Sequence, residues 1–527
     1  MWLGSLVSSA AGAAAVEGHP YGAWSLVPAA IALLLAFWTR NVLLALFLAV
    51  VSGSLVLFAH SGEVADLDFL GRFFLPALGT PGYARILLIY LWFLGGILGL
   101  WEYTGAARHF AEKASVLVRG PRTAKLVTWL LGCVFHQGGT VSTVLAGTTA
   151  RPVAERHRVS HEELAYIVDS TASPVATIIP LNVWPAYVAG LVAGTTLAGQ
   201  TLVSTAEEGT RWFFRAVPFN FYAILAVLLT LLFSLEWWPW MGRSMRTALE
   251  RARRDGLLDR PGARPMVPAQ PGNPKAAGYR PSVVEFLTPL GVLIGVALLP
   301  YVARWFGVSR LPYFGSRTDA INEAFFLSTA TALVIGWAKG LKVTQLLEAF
   351  VRGCQNMTLG AMILGLAVTL AQVAMVLDPG GYLTQQLVAR MPYWALPAAL
   401  MLLCMLISFA VGSSWGTYAV VFPIALPLAF AVAFRRIGVE AAAWPELLVE
   451  GAAEAALVQR YVAICFGAVL GGAVFGDQCS PISDTTVLSA LFSGCDLMDH
   501  VYTQLPMALM AAGGAALLST ALAVLLC

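Results

Sequence analysis

The sequence predicts an all-α polytopic membrane protein built from two repeats, each containing a broken helix and a re-entrant hairpin. Three observations carry this expectation. Hydrophobic residues make up 58% of the 527 and charged residues only 12%, with a mean hydropathy of +0.74, whereas an ordinary soluble domain is about one quarter charged. Apolar stretches close to the roughly 20 residues that cross a bilayer recur along the chain. Finally, two stretches in corresponding positions of the two halves are interrupted by Gly, Pro, Ser, Thr and Asp.

The missing charge is what lipid exposure removes, because a carboxylate or ammonium near the bilayer centre costs several kcal/mol. A net charge of +3 is too mild and too diffuse for a nucleic-acid binder. The seven cysteines include no Cys-x-x-Cys pair, so no zinc site or disulfide framework is expected, nor any bound cofactor. Met1 to Pro20 holds no Lys or Arg, so it lacks the basic start of a cleaved signal peptide and the first spans are expected to remain.

Uninterrupted apolar runs cover about Leu26–Trp38, Val42–Phe58, Ile86–Leu100, Phe219–Leu235, Val283–Val302, Phe325–Trp337, Met357–Leu377, Trp394–Val411, Val420–Phe434, Tyr461–Val474 and Pro506–Leu526. The interrupted ones are Leu126–Val153, Ile167–Val192 and Phe475–Leu491. A break frees backbone groups that lipid cannot satisfy, so these segments belong inside protein or beside a water-filled site. Residues 1–240 then form a first membrane half, with its hairpin and broken helix at about 126–192. Residues 282–527 form a second, with a hairpin at about 405–434 and a broken helix at about 461–491. Between them, residues 241–281 are rich in Arg, Pro and Gly; the excess of positive charge places this linker, and the basic Arg108–Lys125 loop, on the cytoplasmic side of a multi-pass protein of the cell (inner) membrane.

The interruptions repeat. FHQGGTVSTVLAGTT and DSTASPVATIIPLNVW in the first half answer to FAVGSSWGTYAVVFPIA and GDQCSPISDTTVLSALF in the second, with Asp169 and Ser173-Pro174 matching Asp477 and Ser480-Pro481. Paired interrupted segments point to a transporter binding site at the repeat interface. In Gly476–Thr486, Asp477, Ser480, Ser483, Asp484 and Thr485, with Cys479 among them, offer the hard oxygen ligands that a dehydrated Na+ needs. A carboxylate there can instead take a proton when unpaired, because burial disfavours its charge. A capped helix start would explain one Asp, but two poorly.

Asp169, Ser170, Thr171 and Ser173, with Asn182 beyond, repeat the chemistry with fewer acids, and capping alone is the rival explanation. Asp477, Asp484 and Asp169 are the candidate Na+ ligands. Ser413, Ser414, Trp415 and Thr417 form a candidate hairpin tip, against the alternative of small residues serving helix packing. His500, in the stretch leading into the last span, reads as a structural histidine.

GDQCSPISDTTVLSALFSGCDLMDHVYTQLP, LAYIVDSTASPVATIIPLNVWPAYV and SFAVGSSWGTYAVVFPIALPLA closely resemble stretches of NhaC-type Na+/H+ antiporters, and the likeness spans most of the chain. The resemblance implies two inverted repeats, a scaffold part, a moving transport part and a homodimer. It implies exchange of Na+ for H+, or alternatively Na+- or H+-coupled carriage or exchange of a small organic solute, a carboxylate or an amine. The chain departs from the family in two places: it lacks the Ala-Trp-containing run usual in the span Leu364–Val376, and where many relatives carry Asp-Asp-Tyr in the first hairpin, this chain has His136-Gln137-Gly138-Gly139. That removes two acids and leaves His136 and Gln137 as candidate contacts for a solute. An intramembrane aspartyl protease is disfavoured, because Ala473–Asp477 lacks a Gly-x-Gly-Asp setting, and no nucleotide-binding Gly-rich loop is present. The chain is therefore not expected to be an enzyme.

Overall fold

The computed structural model describes residues 20–39, 41–116, 118–136, 139–179, 182–197, 199–265, 279–305, 320–379, 382, 391–450, 453–481 and 483–526. Apolar runs become helices because a helix satisfies every backbone group within itself. In the first half these are α1 (Val27–Thr39), α2 (Val42–Ser61), α3 (Phe93–Thr104), α4 (Ala106–Ser115), α5 (Pro121–Val134), α6 (Gly139–Arg156), α7 (His161–Ser170), α8 (Ser173–Ile178) and α9 (Val183–Val192). A short antiparallel hairpin follows, β1 (Thr195–Leu197) and β2 (Gln200–Val203), with Leu197 opposite Gln200. Then come α10 (Ala206–Ala216), α11 (Phe221–Ser234) and α12 (Arg243–Asp255).

The second half contains α13 (Val283–Trp305), α14 (Ile321–Ala338), α15 (Val343–Asn356), α16 (Thr358–Leu377), α17 (Leu396–Val411), α18 (Ser414–Ile437), α19 (Ala453–Cys479), α20 (Asp484–Ser493) and α21 (Leu497–Leu526). Among the described residues, four helical stretches are long and apolar enough to cross a membrane: Leu43–Ser61, Ser414–Ile437, Ala453–Cys479 and Leu497–Leu526. Two bent pairs qualify as broken spans, His161–Ile178 with Val183–Val192 at 55° and Ala206–Phe219 with Phe221–Ser234 at 47°.

The two halves interlock. Helix α1 packs on α2 and reaches α17 and α18 of the second half, α2 lies on α16, and α3 packs with α14 and α15. Helices α6, α7, α8 and α11 pack with the second half: α6 and α7 lie on α20, α8 and α11 on α19, and α11 on α21, while α5 packs on α6, α7 and α11. Each group therefore draws on both halves of the sequence. Close approach in the second group depends on Gly476, where an added Cβ would meet Ser408 Oγ at 2.1 Å and the Phe409 amide nitrogen at 2.2 Å. Helix α19 can thus lie directly on α17.

Three details differ from the sequence reading. The Ile86–Leu100 run is not one regular helix: Ile86–Trp92 is π-helical and hands over to α3. The start of the linker is not a bare spacer, since α12 is an amphipathic helix with Met245, Ala248 and Ala252 buried. The β hairpin has no counterpart among the expected elements.

Candidate functional site

The site begins where α19 stops. Pro481 carries no N–H, so the helix cannot run on past Ser480, and α20 restarts at Asp484. The break frees carbonyls at the end of α19. Thr485 Oγ1 and Thr486 Oγ1 donate to the Asp477 carbonyl at 2.9 and 3.1 Å, Thr486 Oγ1 also reaches the Gln478 carbonyl at 3.0 Å, and Gln504 Nε2 donates to the same carbonyl at 2.6 Å. The hydroxyl-rich start of α20 thus supplies the partners that lipid could not.

With its backbone held in this way, the Asp477 side chain turns into a pocket made by three separate segments. Ser173 Oγ donates to Oδ2 at 2.7 Å, Ser414 Oγ to Oδ2 at 3.0 Å, and Ser483 Oγ to Oδ1 at 3.1 Å; Ser483 also pairs with Thr485 Oγ1 at 3.1 Å. Asp477 is 4% exposed and the three serines are buried. Ser173 belongs to the first-half broken helix, Ser414 to the second hairpin and Ser483 to the second break, so one carboxylate gathers both repeats. Among the described residues no Lys or Arg side chain pairs with Asp477. Asp484 is exposed at the start of α20 and close enough for its charge to act on Asp477. The first hairpin closes the cluster, since a Cβ on Gly139 would meet Thr485 Cγ2 at 2.8 Å and Ser173 Oγ at 3.0 Å.

The first-half break forms by the same logic. Ser160 caps α7 in a box with Glu163, each side chain accepting the other's amide at 3.2 and 3.0 Å. Pro174 then removes a helical donor, and α7 ends at Ser170. Asn182 accepts from the Trp184 amide at 2.9 Å, and its Nδ2 donates to the carbonyls of Ala176 at 2.6 Å, Ile179 at 2.8 Å and His136 at 3.3 Å. Asn182 therefore ties the first hairpin to the broken helix and does not reach Asp477.

Asp169, expected among the cation ligands, lies outside the Asp477 cluster. Its Oδ2 meets His500 Nε2 at 3.0 Å and Gln504 Nε2 at 3.2 Å. Both Asp169 and His500 side chains are fully buried. His500 is thus no isolated structural histidine, and its pairing with a residue 331 positions away leaves no local signal. Ser170 accepts from Gln478 Nε2 at 2.7 Å, while Tyr222 donates to Gln478 Oε1 at 2.7 Å. Gln478 and Gln504 are functional candidates that sequence reasoning passed over. Both lie within the quoted motifs, but an amide carries no distinctive spacing.

The remaining expected residues divide. Thr171 turns its hydroxyl back to the Ile167 carbonyl at 2.7 Å, and Thr417 to the Ser413 carbonyl at 2.8 Å. Ser413 caps α18 after Gly412, whose φ of +68° suits glycine at this tight turn. Trp415 packs on Trp184 and Tyr187, with ring centroids 4.6 and 4.4 Å apart, and its carbonyl accepts from Tyr187 at 2.7 Å. Of the hairpin tip, only Ser414 hydrogen-bonds to Asp477. Cys479 and Ser480 are fully buried at the break. His136 is 5% exposed, with Nδ1 at 3.2 Å from the Cys133 carbonyl and Nε2 without a partner among the described residues. Gln137 lies outside the described residues.

Below the site, charged residues lock the linker onto the first half. Lys125, fully buried, pairs with Glu163 at 3.2 Å and Glu236 at 3.1 Å. Arg253 of α12 reaches Glu236 at 2.6 Å, and Arg251 holds both oxygens of Glu162 at 2.8 and 2.9 Å. Burial works against ionisation of Glu236, but hydrogen bonds from Arg122 and Arg253 and the Lys125 charge outweigh it and hold its carboxyl down to about 2. Arg260 pairs with Asp499 at 3.1 Å, one residue before His500.

The chain is similar to known proteins. A family model described as the Na+/H+ antiporter family fits residues 184–523. The chain is 29% identical over 508 residues to an uncharacterised protein of Haemophilus influenzae, covering 92% of this chain and 88% of that protein. It is 28% identical over 233 residues to the malate-2H(+)/Na(+)-lactate antiporter of Bacillus subtilis, covering 43% of this chain and 40% of that one. The crystal structure of the Alcanivorax borkumensis YdaH transporter shares the fold with a TM-score of 0.54 at 15% identity, covering 92% of this chain and 98% of that one. Two interlocked halves, paired breaks and a buried carboxylate between them thus accompany a family match over most of the chain, and the protein belongs to the Na+/H+ antiporter family of secondary transporters.

Proposed function

We propose that the protein exchanges Na+ for H+ across the cell (inner) membrane by alternating access, with Asp477 as the carboxylate that holds Na+ and that a proton can neutralise when Na+ leaves. The observation that carries this reading is the buried Asp477 with hydroxyls of Ser173, Ser414 and Ser483 on its oxygens. A hydroxyl both donates and accepts. The same three groups can donate to the carboxylate or turn their lone pairs to a cation beside it, without moving the backbone. Asp484, at the exposed edge, adds negative charge on the approach. Burial makes an unpaired carboxylate costly, so a cation or a proton is needed to neutralise it. The protein acts as a carrier with no enzymatic step and no bound cofactor, and we propose that it works as a homodimer in the bilayer.

One observation favours a second reading. His136 Nε2 is buried without a partner among the described residues, and a relative bears a name that includes malate and lactate. On this reading His136 contacts a small organic solute. An organic anion at Asp477 would face a carboxylate with no basic side chain paired to it among the described residues, which is why we favour cation exchange. Proteoliposomes decide the matter. Na+ added outside should move protons with no organic solute present, and a requirement for solute would overturn Na+/H+ exchange in favour of the carrier.

A further inference from the structure

We propose that Asp169 and His500 form a second proton-carrying site, distinct from Asp477, whose proton affinity falls when Na+ occupies the Asp477 cluster. This inference rests on the cation-exchange reading above. The two side chains are 0% exposed and meet at 3.0 Å, Nε2 to Oδ2. Gln504 Nε2 donates to the same Oδ2 at 3.2 Å. Three atoms of the group have no partner among the described residues: Asp169 Oδ1, His500 Nδ1 and Gln504 Oε1. With His500 neutral and its Nε2–H turned to Asp169, every one of the three is an acceptor. A fully buried group with a carboxylate charge and only surplus acceptors is short of a proton.

The charge count gives the same answer. Neutral His500 beside ionised Asp169 carries one net negative charge out of water, which is costly without a counter-charge. No Lys or Arg side chain hydrogen-bonds to either residue among the described residues. The other titratable groups around the pair are Tyr222 of α11 and Cys479 of α19, with Tyr166 of α7 beside them; Asp499 is paired with Arg260 of the linker, and Lys125 of α5, which packs on α7, is taken up by Glu163 and Glu236. None of these supplies a compensating positive charge at the pair. One bound proton, on either residue, makes it neutral.

The pair is tied to the Asp477 cluster through a short stretch of chain. Gln504 also donates to the Gln478 carbonyl at 2.6 Å, and Thr486 bridges the Asp477 and Gln478 carbonyls at 3.1 and 3.0 Å. Two positive charges within one buried assembly oppose each other, and linkage makes the effect reciprocal. Na+ at Asp477 therefore weakens proton binding at Asp169–His500, and the proton weakens Na+. That is the antagonism an exchanger requires.

The test uses the full-length protein in detergent, weakly buffered, with Na+ as the probe. Proton release is read by a pH indicator, and Na+ binding by thermal stabilisation. Because the proton can rest on either residue, the two are replaced together, and the double variant Asp169→Asn/His500→Gln keeps a polar partner at each position. It is expected to bind Na+ yet to release fewer protons per bound Na+ than the unmodified protein, by close to one, with Na+ affinity less dependent on pH. Undiminished release in this variant, with Na+ binding intact, would overturn the second site. If the unmodified protein neither binds Na+ nor releases protons, Na+ exchange itself fails and the coupling with it. Potentiometric titration near neutral pH without Na+ then separates the two ideas, since a proton-carrying pair takes up one more proton than the double variant whatever the cation, and equal uptake refutes the pair. Circular dichroism confirms that the variant is folded.

Discussion

Ser173→Ala and Thr171→Val are the most discriminating pair of substitutions. The two residues lie two positions apart at the same break and are both buried, but the structure gives them different work. Ser173 Oγ stands 2.7 Å from Asp477 Oδ2, while the Thr171 hydroxyl is spent on the Ile167 carbonyl at 2.7 Å. A hydrogen bond to an ionised group contributes about 1.5–3 kcal/mol, and 1.4 kcal/mol is about tenfold in affinity. Removing the Ser173 hydroxyl takes a ligand from the cation and a donor from the carboxylate. Apparent Na+ affinity should fall by roughly 10- to 100-fold. Thr171→Val keeps the shape and forfeits a hydrogen bond within one helix, so it should change Na+ affinity by less than about threefold and act on stability instead, by about 1 kcal/mol. The assay is the Na+ dependence of proton movement in proteoliposomes, normalised to inserted protein. Equal losses in both variants, or an unchanged Ser173→Ala, would refute the assignment of Ser173 to the site.

Three further outcomes follow from the packing and the charges. Gly476→Ala should lower stability by about 1–3 kcal/mol, because the new Cβ meets Ser408 and the Phe409 backbone at 2.1–2.2 Å; thermal unfolding in detergent measures it, and an unchanged midpoint would contradict the close α17–α19 contact. Glu236 is held down to about 2 from 4.5, so it stabilises the docked linker only while ionised. The stability advantage over Glu236→Gln should be complete above about pH 4.5 and shrink as pH falls toward 2, whereas a difference that grows on acidification would refute the pairing. Finally, protease added to inverted vesicles should cut the linker whose sequence after α12 is rich in Pro and Gly, and the same protease outside intact cells should not; cleavage in intact cells would reverse the proposed orientation.

Much of the architecture is legible in the sequence because lipid restricts the options. Apolar runs must be helices, and Pro, Gly and Asp inside them must mark breaks with local partners. The runs beginning at Leu26, Val42, Val283 and Met357 therefore appear close to their expected bounds as α1, α2, α13 and α16. The breaks at Ser173-Pro174 and Ser480-Pro481 were readable for the same reason. Which hydroxyl faces the carboxylate was not. Ser173 and Thr171, or Ser414 and Thr417, are equivalent as residue types, and only the direction of each side chain separates a site contact from a bond within its own helix. Long-range partners were least visible. Asp169 and His500 are 331 positions apart, and a single chain offers no periodicity to connect them. The amphipathic helix α12 was obscured by the Pro- and Gly-rich sequence that follows it. The Ile86–Trp92 stretch is π-helical, which hydrophobicity alone does not distinguish from regular helix.

The most direct test of the account is Asp477→Asn in proteoliposomes. At a contact of about 2.5 Å and an effective dielectric near 20, the carboxylate's gross attraction for Na+ is about 6–7 kcal/mol. Even if desolvation offsets two thirds of it, the remaining ~2 kcal/mol is about 30-fold in affinity. Asparagine keeps the size of the side chain and a carbonyl acceptor but removes the charge. The account predicts that Na+-driven proton movement is lost while the variant inserts and folds; exchange close to that of the unmodified protein would contradict it.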